Sequence, residues 1–133
     1  SGYNNEYVVR LADIILLEAE AYAHKGELQL AAQLVNLIRQ RAKLPKLTSA
    51  ATASQTTMEE AVLKERRLEL ACEGERWYDL RRAGKVEEVL NSLPSRDSGH
   101  LPLARQYTAN SYLMPIPQTA LDENDNLIQN PGY

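Results

Sequence analysis

Glu65 and Glu69 stand four residues apart in a stretch, LKERRLELACEGERWYDLRRAGK (Leu63 to Lys85), that has the spacing of an amphipathic helix. Residues at i and i+4 share a helix face about 6 Å apart, close to the carboxyl separation of a retaining glycosidase, so acid/base work on a glycosidic bond is the first chemistry to weigh. At about 100° per residue from Thr57, Met58, Ala61, Val62, Leu68 and Cys72 form one apolar stripe, and both carboxylates fall inside it. Carboxylates so placed point into a helix layer that a sugar does not reach. Their burial is tolerated only when a cation and hydrogen bonds satisfy them. Arg66, Arg76, Arg81 and Arg82 are nearest in sequence and are the expected partners. No histidine lies nearby, so the pair reads as a structural charge network that fixes helix packing, and no catalytic residue is expected.

Other residue types that carry chemistry are sparse. His24 falls near a helix C-terminus, where it suits the helix dipole, and His100 falls in a long polar loop; neither has metal-ligand spacing. Asp122, Asn124 and Asn126 have the spacing of the first three calcium ligands of an EF-hand loop. The sixth position is Leu127 instead of Gly and the twelfth is Tyr133 instead of Glu, which favours an ordinary Asx-rich turn. There is no G-x-S-x-G elbow and no phosphate-binding glycine loop, so neither metal nor cofactor is expected. Trp77 and the tyrosines are the candidate sugar-stacking surfaces. Trp77, beside the buried charges, reads as packing, while Tyr107 and Tyr112 in the long loop are expected to be more exposed.

The elements that position these residues follow from the apolar pattern. The chain has 133 residues, enough for one domain, and 44% are hydrophobic. Its eight aromatics are seven Tyr and one Trp with no Phe, so packing rests on Leu, Ala, Val and Ile, a helix-former's composition. Net charge is −3 with the two signs interspersed, which gives nucleic-acid binding little support. Cys72 is the only cysteine, cannot form an internal disulfide, and by its place on the stripe reads as a small buried hydrophobe. No apolar run reaches the ~18 residues of a membrane span, and no secretory leader is visible. Ser1 and Gly2 read as a cloning scar.

After an extended Tyr7-Val8-Val9, the periodicity predicts a helix from Arg10 to about Lys25. One face carries Leu11, Ile14, Ile15, Ala21 and Tyr22, and a second carries Ala12, Leu16, Ala19 and Ala23. A helix apolar on two sides needs neighbours on both. Gly26 ends it, and a second helix from Glu27 to about Lys43 is also two-faced, with Leu28, Ala31, Val35, Ile38 and Ala42 opposed to Leu30, Leu34 and Leu37; Pro45 closes it. The short connection forces an antiparallel hairpin. Thr48 to Thr57 reads as a mobile linker, and Thr56 with Glu59, or Thr57 with Glu60, as a capping box for a third helix that Gly74 ends. A fourth runs from Arg76 to Ala83, and a short turn of helix follows Gly84 through Leu90. Helix, glycine, helix thus occurs twice, over about 10–43 and 57–90, with a period near the ~34 residues of a tetratricopeptide repeat. Residues 92–111 form a long polar loop, and residues 112–133, with Pro115, Pro117 and Pro131, an extended packed tail. The fold class expected is all-α, tetratricopeptide-like helix hairpins with an irregular C-terminal tail, in a single domain over 1–133.

Five segments in this order carry a family resemblance: RLADIILLEAEAYAHKGE (Arg10 to Glu27), NLIRQRAKLP (Asn36 to Pro45), KERRLELACEGERWYDLRRAGK (Lys64 to Lys85), LMPIPQTAL and NLIQNPGY. Taken together they resemble the C-terminal part of the SusD/RagB proteins of Bacteroidetes outer membranes. Cys72 stands where that family more often has an aromatic, Glu75 where His or Lys is common, and Asp125 where Pro is frequent. None of the three disturbs the shared core.

The resemblance implies a non-catalytic, surface-exposed lipoprotein of the outer membrane that binds an oligosaccharide and partners a SusC-like TonB-dependent transporter. It also implies that the chain is the C-terminal region of a longer protein whose lipid anchor lies outside it; Cys72 is no lipobox cysteine, since Glu69 stands three positions before it. The matched motifs are structural in the family, so the resemblance assigns no glycan-binding residue, and much of the sugar site is expected in segments elsewhere. From the repeat pattern alone, the alternative is a tetratricopeptide-type scaffold for protein–protein interaction through its helical groove.

Overall fold

A computed structural model describes residues 8–92 and 106–133. Among the described residues the regular structure is helical: α1 (Leu11–His24), α2 (Leu28–Arg41), α3 (Gln55–Glu69), α4 (Arg76–Arg82), α5 (Val86–Asn91) and α6 (Gln118–Glu123), with two short 3-10 turns at Ser49–Thr52 and Ala109–Tyr112. No helix among them is long and apolar enough to cross a membrane. The chain gathers into two compact units, one up to Arg76 and the other from Trp77. His100, Pro94, Gly99 and Pro102, and with them most of the long polar loop, lie outside the described residues.

In the first unit α1 and α2 form the expected antiparallel hairpin, and α3 packs against both. Its core is built from Ala12, Leu16, Ala19 and Ala23 of α1, Ala31, Ala32, Val35 and Ile38 of α2, and Met58 and Val62 of α3. Small alanines at the contact positions let the helix backbones approach closely, and Leu16, Val35 and Met58 fill the space between them. Of the two apolar faces of α1, the alanine-leucine face is buried. The other is only partly covered: Ile15 and Tyr22 pack against the core edge while Leu11 and Ile14 are exposed. The same holds for α2, whose Leu30 and Leu37 are exposed.

Three helix ends use one device. After α1 the amide of Glu27 donates to Tyr22 O (2.9 Å) and that of Gly26 to Ala23 O (3.0 Å), a Schellman closure with Gly26 at φ +78. The end of α4 repeats it, Lys85 to Leu80 and Gly84 to Arg81. At the end of α2 the same pair of bonds forms, Leu44 to Arg39 (2.8 Å) and Lys43 to Gln40 (3.0 Å), but the left-handed residue is Lys43, at φ +57.

Expectations for the third helix need correction. Its capping box is Ser54 with Thr57: the Thr57 amide donates to Ser54 Oγ (3.2 Å) and the Ser54 amide to Thr57 Oγ1 (3.0 Å). The helix therefore begins at Gln55, and the segment before it folds into a 3-10 turn packed on α2 and α3, where a mobile linker is expected from its composition. At the other end α3 stops at Glu69, before Gly74, and the chain turns through Cys72 at φ +66. Cys72 is exposed, and so is Leu68. The buried face of α3 is centred near Val62 and Arg66; at about 100° per residue Leu68 lies about 120° from Val62, off the stripe that was drawn through it.

The second unit is held by side chains that bracket distant backbone. Asn91 at the end of α5 accepts from the Tyr107 amide and donates to the Tyr107 carbonyl, both at 2.8 Å. Gln129 does the same to Ile116 (2.8 and 3.0 Å), and Asn130 donates to Met114 O (2.6 Å). These clamps supply the hydrogen bonds that the proline-interrupted tail cannot make with itself. The tail is not extended throughout, since α6 interrupts it; Pro117 stands at the N-cap position of that helix. Asn124 Oδ1 accepts from the Asn126 amide (3.0 Å), which makes the Asp122, Asn124, Asn126 segment the Asx turn its sequence suggests.

Candidate functional site

The charge network drawn from the sequence is present, with different arginines. Glu65 is the most enclosed of the pair, its side chain 5% exposed, and its Oε2 accepts from Arg39 Nη1 at 2.7 Å. Arg39 is anchored in turn by donation from Nε to Pro45 O (2.8 Å). Glu69 takes two guanidinium groups on Oε1, Arg10 Nη1 at 2.6 Å and Arg41 Nη2. Arg10 also donates from Nη2 to the Glu69 carbonyl (2.5 Å) and forms a two-point contact with Glu73 through Nε and Nη2, both at 2.7 Å. The arginines on the pair thus come from the N-cap of α1 and the last turn of α2, not from the sequence neighbours Arg66, Arg76, Arg81 and Arg82. A residue beside Glu65 in the chain points about 100° away from it around the helix, whereas α1 and α2 bring their ends directly over the carboxylates.

Those sequence neighbours have other duties. Arg66 is the largest fully buried side chain in the described residues, 1% exposed. Its Nη2 lies 2.8 Å from Asp13 Oδ1 and its Nε 3.8 Å from Glu20 Oε2, both on α1, and Nη1 donates to Asp13 O (3.3 Å). The Asp13 Oδ1 contact is off the line of a hydrogen bond, so it acts as a coulombic pair. Arg82 reaches Asp79 within α4 (2.8 Å), and Arg76 Nη1 reaches Leu63 O (3.5 Å). Two rows of charge therefore run along the faces of α3. Glu65 and Glu69 are held by α2 and by Arg10; Arg66 is held by α1.

Electrostatics follow the contacts. The Glu73 and Glu69 carboxylates hold the Arg10 guanidinium even further toward its charged form than usual, and hydrogen bonding to Arg10 lowers the Glu73 carboxyl below its ordinary value. His24 Nδ1 lies 2.9 Å from Glu59 Oε1, which also accepts from Gln55 Nε2 (2.9 Å), so His24 closes the exposed end of the α1–α3 contact. Trp77 is half-buried, its ring 5.9 Å from that of Tyr107 at 46°. Tyr107 and Tyr112 are half-buried as well, not the exposed rings expected from the loop.

Chemically this arrangement holds helices together. Glu65 and Glu69 present their oxygens to guanidinium groups of the packed helices, which places the glycosidase-like spacing inside a helix-to-helix lock. No group of three or more His, Cys, Asp or Glu side chains capable of holding a metal occurs among the described residues. Arg10, Arg39 and Arg41 were not singled out from the sequence. The available signal was their place at helix ends, where they meet α3 only once the hairpin has formed.

The chain matches the model of the SusD family over residues 1–133. Two SusD-like proteins of Formosa agariphila, P38 and P2, are 33% and 32% identical to it over 97% of its length. The chain spans about a quarter of the length of these relatives, 25% and 26%. A crystal structure of a SusD-like protein from Bacteroides fragilis superposes with a TM-score of 0.79 at 34% identity, covering 94% of this chain and 25% of that one. The all-α hairpin fold and the match along the whole chain place this protein in the SusD family.

Proposed function

We propose that this chain is the helical scaffold of a glycan-binding protein of the bacterial outer membrane, one that captures an oligosaccharide without cleaving it and passes it to a SusC-like TonB-dependent transporter. The observation that carries the reading is the match to the SusD family over the whole chain, together with a SusD-like fold. The charge lock fits it. A protein that presents loops to a polysaccharide needs a rigid frame, and Arg10, Arg39, Arg41 and Arg66 tie three helices into one at the positions where an enzyme of this layout would keep free carboxylates. The chain covers about a quarter of its relatives. Glycan capture and delivery are therefore proposed of the family-length protein.

The test uses the complete polypeptide of the reading frame. Affinity electrophoresis against a panel of plant, algal and host polysaccharides should show retardation by at least one, and chromatography of the incubated glycan should show no shortening. Chain cleavage abolished by Glu65→Gln would overturn the non-catalytic reading. Retardation by none of the panel, with no oligosaccharide heat by calorimetry, would overturn the glycan-binding one.

A further inference from the structure

We propose that the turn after α3 is a latch: Arg10, at the start of α1, ends the helix and holds the turn shut. Releasing that one side chain opens residues 70–75 while the rest of the first unit stays folded. Local sequence does not stop α3 at Glu69, since Leu70 and Ala71 are strong helix formers and the first glycine to follow is Gly74. In a continuing helix the Glu73 amide would donate to Glu69 O. Instead Glu69 O accepts from Arg10 Nη2 (2.5 Å), and the Glu73 amide donates to Leu70 O (3.2 Å), which closes a β-turn over Leu70 to Glu73. A side chain 59 residues away thus occupies the carbonyl that would carry the helix forward.

The turn is held against its own backbone preference. Cys72 stands at its third position with φ +66, where glycine or asparagine is favoured and a larger side chain is strained. Arg10 opposes that strain by gripping both ends of the turn with one guanidinium: Nη1 donates to Glu69 Oε1, Nη2 to Glu69 O and Glu73 Oε1, and Nε to Glu73 Oε2. The latch lies wholly within the first unit and apart from its core. The Arg10 and Glu73 side chains are 25% and 40% exposed, against 5% for Glu65 in the lock between α2 and α3. When Arg10 leaves, Glu69 keeps Arg41, so opening strands no buried charge. A strained turn, a solvent-accessible clasp and a core pair that opening does not disturb together make local opening far less costly than global unfolding.

The test is hydrogen exchange read by mass spectrometry on the complete polypeptide of the reading frame, comparing peptides over residues 70–75 with peptides over residues 58–66 of α3. In Arg10→Leu the turn should exchange about tenfold faster while 58–66 is unchanged. In Glu73→Gln, which leaves the Glu69 bonds in place, the turn should exchange about threefold faster, and this variant decides the matter if Arg10→Leu does not fold. Cys72→Gly added to either variant should slow the turn again by about threefold, because glycine removes the left-handed strain. Turn exchange unchanged in Glu73→Gln and in any folded Arg10→Leu would overturn the proposal. Acceleration of 58–66 by the same factor as the turn would make Arg10 part of the global fold and overturn it too, as would a Cys72→Gly substitution that fails to slow the turn.

Discussion

Removing the Glu65 carboxylate is the sharpest test of the lock. The side chain is 5% exposed and meets Arg39 at 2.7 Å; Arg39 is 19% exposed and keeps its second bond to Pro45 O. Truncating one member of a deeply buried pair costs about 3–5 kcal/mol because the other charge is left uncompensated. Here Arg39 retains a carbonyl partner and some water, so Glu65→Ala should cost about 2–3 kcal/mol. For a chain of this size, at about 3–5 °C per kcal/mol, the thermal midpoint should fall by about 6–15 °C. A double-mutant cycle separates the pair from the packing. Arg39→Met should cost nearly as much as Glu65→Leu, and the two combined should recover to within about 1 kcal/mol of the native chain, since apolar replacement of both partners removes the stranded charge. Calorimetry and urea titration read all four corners. A midpoint within about 1 °C of the native value for Glu65→Ala, or strict additivity of the two single variants, would refute the claim that this pair locks α2 to α3.

Three further outcomes follow from particular contacts. Lys43 occupies the left-handed position of a Schellman closure that favours glycine, so Lys43→Gly should stabilise by about 0.5–1 kcal/mol in urea titration; a loss of stability would contradict the strain assigned there. Glu73 has a carboxyl lowered by Arg10, so its contribution is fully present above the ordinary glutamate value of about 4.3 and is lost as pH falls through the lowered one. The difference in melting temperature between the native chain and Glu73→Gln should therefore be constant from neutral pH to about 5 and close in more acid solution, and a difference independent of pH would remove the ion pair from the account. Cys72, exposed at a turn, should react with one equivalent of a disulfide reagent in the folded protein about as fast as in denaturant; protection would restore the buried position expected from the stripe.

Much of the first unit was legible because its elements are specified locally. The alanine-leucine repeat of α1, the Val35 and Ile38 spacing of α2, and Gly26 between them predict the hairpin without any long-range information. The third helix shows where that information stops. Ser54, two or three residues before either threonine expected to cap it, takes the cap because its backbone is extended and its hydroxyl reaches the third amide. Cys72 continues an apolar pattern that the helix abandons at Glu69, and Leu68, still within the helix, lies off its buried face. Periodicity reads a face correctly only while the helix persists and only when the burial centre is known.

For the charges, the sequence by itself determined that two carboxylates on α3 would be drawn inward and would need guanidinium partners, since burial without them is too costly. Which arginines serve was a tertiary decision. Arg10 lies 59 residues from Glu69 and Arg39 lies 26 from Glu65. Both come within reach only because the antiparallel hairpin returns the end of α2 to the start of α1 and presents the two ends together to α3. Side-chain partners in a helical protein are chosen by the relative placement of helix axes, and that placement arises from packing of the alanine, leucine and valine core, which no local spacing encodes.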